Sequence, residues 1–234
     1  AGATPVAVPL TDDDRHDLDA MAAAVTERTR LIFVCTPNNP TGAVVRTDEL
    51  ERFLAAVPKD VLVVIDEAYV HFDTAADSVD GLDFLRRHGN VAVLRTFSKA
   101  YGLAGLRIGY AIASEQVAAN LRRVSMPFAV SDLAQTAAIA SLDAEAELAQ
   151  RIELIVSERE RVIEALRAQG WSLFDSFGNF VWLRTGRRTA EIDEALRASG
   201  VVVRAFAGDG MRVTIGDPEM NDRLLAAISE ISPE

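Results

Sequence analysis

Val91-Ala92-Val93-Leu94-Arg95-Thr96-Phe97-Ser98-Lys99-Ala100-Tyr101-Gly102 passes from an apolar run into a loop of hydroxyls, one lysine and a glycine. A short unbroken apolar run bounded by turn residues reads as a strand buried on both faces, and the polar groups beyond it fall where such a strand ends. The same two-part pattern occurs twice upstream. Leu31-Ile32-Phe33-Val34 leads towards Asn38-Asn39-Pro40-Thr41-Gly42, and Val61-Leu62-Val63-Val64-Ile65 leads into Asp66-Glu67-Ala68-Tyr69. Stretches with helical periodicity separate the runs, which is the alternation of parallel strands and crossover helices. The fold class expected is α/β, with a mostly parallel sheet and flanking helices. The first crossover helix is expected over residues 47–57, with Asp48 and Glu49 in the first turn, where carboxylates favour the helix dipole, and Pro58 after it. Ile108-Gly109-Tyr110-Ala111-Ile112 predicts another strand beyond the lysine loop.

Downstream the pattern changes. Residues 114–169 read as helical, broken at Pro127, with a long amphipathic segment over 143–167 closed by Gly170. Alternation then resumes with Phe180-Val181-Trp182-Leu183, a helix near 189–199, Val201-Val202-Val203, Arg212-Val213-Thr214-Ile215 and a last helix from Pro218. The expected organisation is therefore part of a large domain in residues 1–120, connecting helices in 121–169 and a smaller α+β carboxy-terminal domain in 170–234. The opening segment from Ala1 to Leu10 lacks an initiator methionine and reads as the middle of a sheet, so a fragment is expected.

Composition narrows the function classes. Among 234 residues, 24 Lys and Arg stand against 35 Asp and Glu, a net charge of −11 that disfavours a sequence-independent grip on nucleic acid phosphates. No apolar stretch approaches the roughly 20 residues needed to span a bilayer, and no basic-then-apolar secretion signal opens the chain. The single cysteine, Cys35, excludes an internal disulfide and suits a reducing cytoplasm. Its flanks offer no second thiol or paired histidine for a structural metal, and no metal site is expected.

The three motifs acquire a common chemistry if they surround pyridoxal 5'-phosphate. That cofactor requires a lysine amine to form a Schiff base and then to move a proton at the substrate's α-carbon, and Lys99 is the candidate. Thr96 and Ser98 offer hydroxyls, and Arg107 a guanidinium, to one phosphate. Asp66 comes after five apolar residues, so it emerges at a strand's carboxyl end, placed to keep a pyridine nitrogen protonated. Tyr69 and Asn39 can reach the ring's 3-oxygen from two sides. Arg212, on a short strand of the small domain, would need an anion if buried, and a substrate α-carboxylate is one.

Each residue alone also has a plain reading. A Ser-Lys pair is ordinarily an exposed lysine, Asn-Pro-Thr-Gly an ordinary turn, Arg107 a surface charge, and Asp-Glu half of a divalent metal site. His16, His71 and His88 lack acid or serine partners. Cys35 reads as a packed thiol, and Trp171, Phe174, Phe177, Phe180 and Trp182 as core of the small domain, with Phe180 also a substrate-facing candidate. Phe128 reads as core or pocket wall.

Taken in order, Asn-Asn-Pro-Thr-Gly, Asp-Glu-Ala-Tyr, Thr-Phe-Ser-Lys with Gly-Leu-Arg-Ile-Gly, and Arg-Val-Thr-Ile-Gly resemble the class I/II (fold type I) aminotransferases. Within them the histidinol-phosphate aminotransferase branch is most similar. Residues 91–109 and the tail Val201-Val202-Val203-Arg204 with Gly208-Asp209-Gly210-Met211-Arg212 look most like the aromatic (phenylalanine) aminotransferases of actinobacteria. The resemblance implies Lys99 as the Schiff-base lysine, Asp66 on the pyridine nitrogen, and Asn39 and Tyr69 on the 3-oxygen. It further implies Thr96, Ser98 and Arg107 on the phosphate, Arg212 on the carboxylate with Asn39 beside it, a cis Asn39-Pro40 bond and a homodimer. Family members carry residues upstream of the position matching Ala1, including a Gly-Ser-type turn for the phosphate and an aromatic that stacks on the ring. The expected activity is transamination of an aromatic amino acid with 2-oxoglutarate. Histidinol-phosphate transamination is the alternative, with Arg204 or Arg122-Arg123 offered to a substrate phosphate. Behind it stand a phosphothreonine decarboxylase and a non-catalytic fragment acting as an assembly module.

Overall fold

The computed structural model describes residues 2–233. In chain order the elements are α1 (Leu18–Ala23), β1 (Leu31–Cys35), α2 (Thr47–Ala56), β2 (Leu62–Asp66), α3 (Gly81–Arg87), β3 (Val91–Thr96), β4 (Gly109–Ile112), α4 (Glu115–Val124), α5 (Asp132–Leu142) and α6 (Glu145–Ala168). They continue with β5 (Phe180–Leu183), α7 (Thr189–Ala198), β6 (Arg204–Phe206), β7 (Gly210–Thr214) and α8 (Pro218–Ser229).

The first sheet runs β1-β2-β3-β4, its first three strands parallel and β4 antiparallel to β3. Cys35 lies opposite Asp66, and Asp66 opposite Leu94, so β1 and β2 end level and β3 runs on to Thr96. The loops leaving them therefore share one edge, the edge at which open α/β sheets take ligands. Beneath them is a core built from Val34, Val63, Ile65 and Val91 of the sheet against Leu50, Phe53, Leu54 and Phe84 of the helices. Helix α2 presents Leu50, Phe53 and Leu54 at helical spacing, which is why this segment docks as a helix.

The second sheet is antiparallel, in the order β5-β7-β6, and has its own core: Val181, Leu183, Met211 and Val213 against Val162, Leu166, Ile192, Leu196, Leu224 and Ile228. Helix α8 starts cleanly because Asp217 accepts from the Met220 amide and Pro218 occupies the first turn. The long helix α6 stops where Gly170 takes φ +93°, a conformation that favours glycine. A third cluster, Tyr69, Phe72, Ala100 and Phe180, joins the two cores, with Leu148, Ile152 and Ile155 of α6 packed against it.

Several local expectations change. Residues 2–9 form no strand; only Leu10 makes an isolated bridge, to His16. Val201-Val202-Val203 is not a strand either. The Val201 amide donates to Leu196 O at 2.8 Å, closing α7, and ladder pairing begins only at Arg204, opposite Arg212. Phe174 is half exposed, stacked on Arg184 instead of packed in the core, and Phe128 is wholly exposed. Among the described residues no helix is long and apolar enough to cross a membrane.

Candidate active site

Asp66 is the last residue of β2, and Lys99 stands in the loop three residues beyond β3. Parallel pairing of these strands brings the two together: the Lys99 charge acts on the Asp66 carboxyl. Burial is the larger influence and pushes that carboxyl above the usual range, opposed by the Ala68 amide, which donates to Oδ1 at 3.0 Å, and by Lys99. A half-buried carboxylate with no arginine or lysine in ion-pair contact is placed to receive a cationic N–H from a ligand.

Lys99 Nζ lies 5.1 Å from the centre of the Tyr69 ring. Tyr69 is buried and meets Phe180 edge-on with ring centres 5.0 Å apart, so the carboxyl edge of the first sheet touches the first strand of the second. Arg212 stacks on the same Phe180 ring, with Cζ 5.1 Å from its centre. Its Nη1 donates to Asn39 Oδ1 at 2.6 Å, while its Nε is buried without a partner. Asn39 stands in a turn with two cis peptide bonds, Thr36-Pro37 and Asn39-Pro40. The turn is held by Asn38 Nδ2 donating to Thr41 Oγ1 at 3.0 Å and by the Gly42 amide donating to Asn38 O at 2.7 Å. Gly42, at φ +79°, is pressed against Ser176, leaving no room for a Cβ.

The hydroxyl loop is pre-shaped. Ser98 N donates to Thr96 Oγ1 at 3.0 Å, and Phe97 N to Ile108 O at 3.2 Å, so the segment after Arg107 returns beside Thr96. Gly109 makes that return possible, since a Cβ there would sit 2.9 Å from Arg95 O. Arg107 itself, at φ +54°, is exposed and donates to Ala104 O of its own turn at 2.8 Å. The structure thus groups Lys99, Asp66 and Tyr69, joins Asn39 to Arg212, places Thr96 at the start of the loop that carries Ser98 and Lys99, and leaves the Arg107 guanidinium turned onto its own backbone.

Two residues whose placement matters carried no local signal. Glu67 is fully buried: Oε1 accepts from the Gly81 amide at the start of α3 and Oε2 from Arg95 Nε, each at 2.7 Å. Burial raises its carboxyl and the Arg95 guanidinium opposes that shift. It is a brace between β2, β3 and α3. The second is Arg159, buried in the middle of α6. Only its buried neighbourhood distinguishes it from the other arginines of that helix, and a sequence does not display that.

The donor set matches one ligand chemistry: an amine, an unpaired half-buried carboxylate, hydroxyl and amide donors at a loop, and an arginine with an unpartnered buried Nε. The family profile Aminotransferase class I and II matches residues 1–228, and the chain belongs to that family, which depends on pyridoxal phosphate. The chain is 61% identical over its full 234 residues to an aromatic amino acid aminotransferase of Streptomyces coelicolor and 59% identical to one of Streptomyces avermitilis. It spans 65% of the length of each. A solved histidinol-phosphate aminotransferase from Sinorhizobium meliloti, in complex with pyridoxal-5'-phosphate, superposes with a TM-score of 0.87 at 31% identity, covering 96% of this chain and 63% of that one.

Proposed function

We propose that this chain takes part in pyridoxal-phosphate-dependent transamination of an aromatic amino acid with 2-oxoglutarate. The observation that carries the reading is the convergence of Lys99 and Asp66 at one sheet edge, with Arg212 brought to it across the Tyr69–Phe180 contact. The relatives named aromatic amino acid aminotransferase support the substrate class.

When bound, pyridoxal phosphate supplies an electron sink for the bonds at the substrate's α-carbon. Lys99 Nζ would hold the cofactor and would carry the proton at the substrate's α-carbon. Asp66 would hold a proton on the pyridine nitrogen, a task suited to a carboxylate that no cation among the described residues neutralises by direct pairing. Tyr69 and Asn39 would serve the 3-oxygen; with Asn39 Oδ1 occupied by Arg212, its Nδ2 is the available donor. Thr96, Ser98 and Arg107 would hold the phosphate, Arg107 only if its guanidinium left Ala104 O. Arg212 binds the α-carboxylate, the anion shared by donor and acceptor. We take the small-molecule amino and keto acids to be its partners, the cytoplasm its compartment and a homodimer its assembly. The exposed Val124, Met126, Phe128 and Leu133, from the end of α4 to the start of α5, support an assembly surface.

A cleft of about 310 Å³ lined by Arg204, Arg212 and Arg223 favours one second reading, transamination of histidinol phosphate, because it offers further cations to a substrate phosphate. Steady-state turnover of phenylalanine against histidinol phosphate by the complete protein separates the two. Lys99→Ala tests the mechanism common to both: turnover should fall by about 100-fold or more while the thermal transition is retained. Undiminished turnover in that variant removes Lys99 from the chemistry.

A further inference from the structure

Arg159 is only 2% exposed, yet among the described residues no carboxylate is in ion-pair contact with it, and Glu160, Asp73 and Asp175 act on its charge only from further off. Its Nη1 donates to Phe72 O at 2.8 Å and to Gly178 O at 3.1 Å, its Nη2 to Thr74 Oγ1 at 3.2 Å, and its Nε is buried without a partner. Removing a guanidinium from water opposes folding, and neutral acceptors return less than a carboxylate would. Stability alone therefore accounts poorly for an arginine at this position.

The identity of its acceptors gives a better account. Phe72 closes the short turn that begins directly after Tyr69, on the Lys99 side of the site. Gly178 stands two residues before Phe180, which opens the strand paired with β7, the strand of Arg212. One planar guanidinium thus grips both segments whose aromatic rings meet at 5.0 Å. Beside it the Phe177 amide donates to Gly42 O at 2.8 Å, tying the same segment to the Asn39 turn.

We propose that Arg159 is a positioning residue: by holding the Phe72 and Gly178 carbonyls on one guanidinium, it fixes where Arg212 stands relative to Lys99. Lysine keeps the charge but lacks the planar fork that reaches both carbonyls and Thr74 together, so Arg→Lys is not conservative here. The inference rests on the transamination reading only for its kinetic consequence; the docking consequence stands apart from it.

The experiment uses Arg159→Lys and Arg159→Met in the complete protein, with two readouts. In cofactor-free protein, hydrogen exchange over residues 174–179 should accelerate on the order of 10-fold, while β5 and β7 amides keep their protection. In loaded protein, KM for phenylalanine and for 2-oxoglutarate should rise together by about 10-fold per occupied site, with kcat affected less. Acceleration spread evenly over the chain would make Arg159 a stability residue and overturn the proposal. Unchanged exchange over 174–179, or unchanged KM values beside local acceleration, would also overturn it. A wild-type protein that transaminates neither substrate removes the functional reading instead, and the exchange readout then decides the docking role alone.

Discussion

Asn39 Oδ1 accepts a 2.6 Å hydrogen bond from Arg212 Nη1, joining two motifs that stand 173 residues apart. The bond aims the guanidinium while leaving it a net cation, because an amide oxygen does not neutralise it. A carboxylate at position 39 would. Asn39→Asp should therefore raise KM for phenylalanine and 2-oxoglutarate alike, by about 10-fold or more, as the new anion competes with the substrate carboxylate. Arg212→Ala should lower kcat/KM for all substrates by similar factors, equivalent to about 2–5 kcal/mol for a desolvated pair losing one partner. A loss confined to one side chain would place Arg212 in the specificity pocket.

Asp66 is tested through its charge. Asp66→Asn should reduce turnover on the order of 100-fold, whereas Asp66→Glu, which keeps an anion at the end of β2, should reduce it much less. Kinetics of the two variants at matched cofactor occupancy measure this. Equal losses would assign the effect to packing.

Glu67 braces rather than reacts. Glu67→Gln leaves Arg95 beside a neutral amide and weakens the bond to the Gly81 amide, so a denaturant titration should show a loss of about 3–5 kcal/mol. Turnover per folded, loaded site should stay near wild type. A stable variant with impaired turnover would instead put Glu67 in the chemistry.

Burial, and then the charge of Asp66, push the Cys35 thiol from 9.0 up to about 12. The folded state therefore retains a proton that the unfolded chain has released between these values, and stability falls as pH rises through that window. Wild type should lose more stability than Cys35→Ala between about pH 8 and about pH 10.5. Thermal transitions at the two pH values decide it, and parallel losses would show that the thiol titrates normally.

Much of the proposed site is legible in the sequence because its residues sit at places that local pattern marks. An apolar run announces a strand, and the residues just past the run lie at the strand's end; Asp66 and Lys99 are found in this way, and the hydroxyls of Thr96 and Ser98 with them. Pro58 and Gly170 mark helix ends for equally local reasons. Val201-Val202-Val203 carries the strongest β-branched signal in the carboxy-terminal part, yet α7 takes the Val201 amide, because which donor pairs with which acceptor depends on where the helix stops against the sheet.

By itself, then, the sequence determined the alternation of strands and helices, the order of the motifs and the chemical inventory they bring, since each depends on residues within a few positions of one another. The tertiary structure alone decided that Glu67 would bind Arg95 and Gly81, that Asn39 would aim Arg212, and that Arg159 would bridge the turn after Tyr69 to the approach to Phe180. The first pairing follows from α3 packing beside β3; the other two hold because two separately packed cores meet through Tyr69, Phe72, Ala100 and Phe180, a contact that no local stretch of chain encodes.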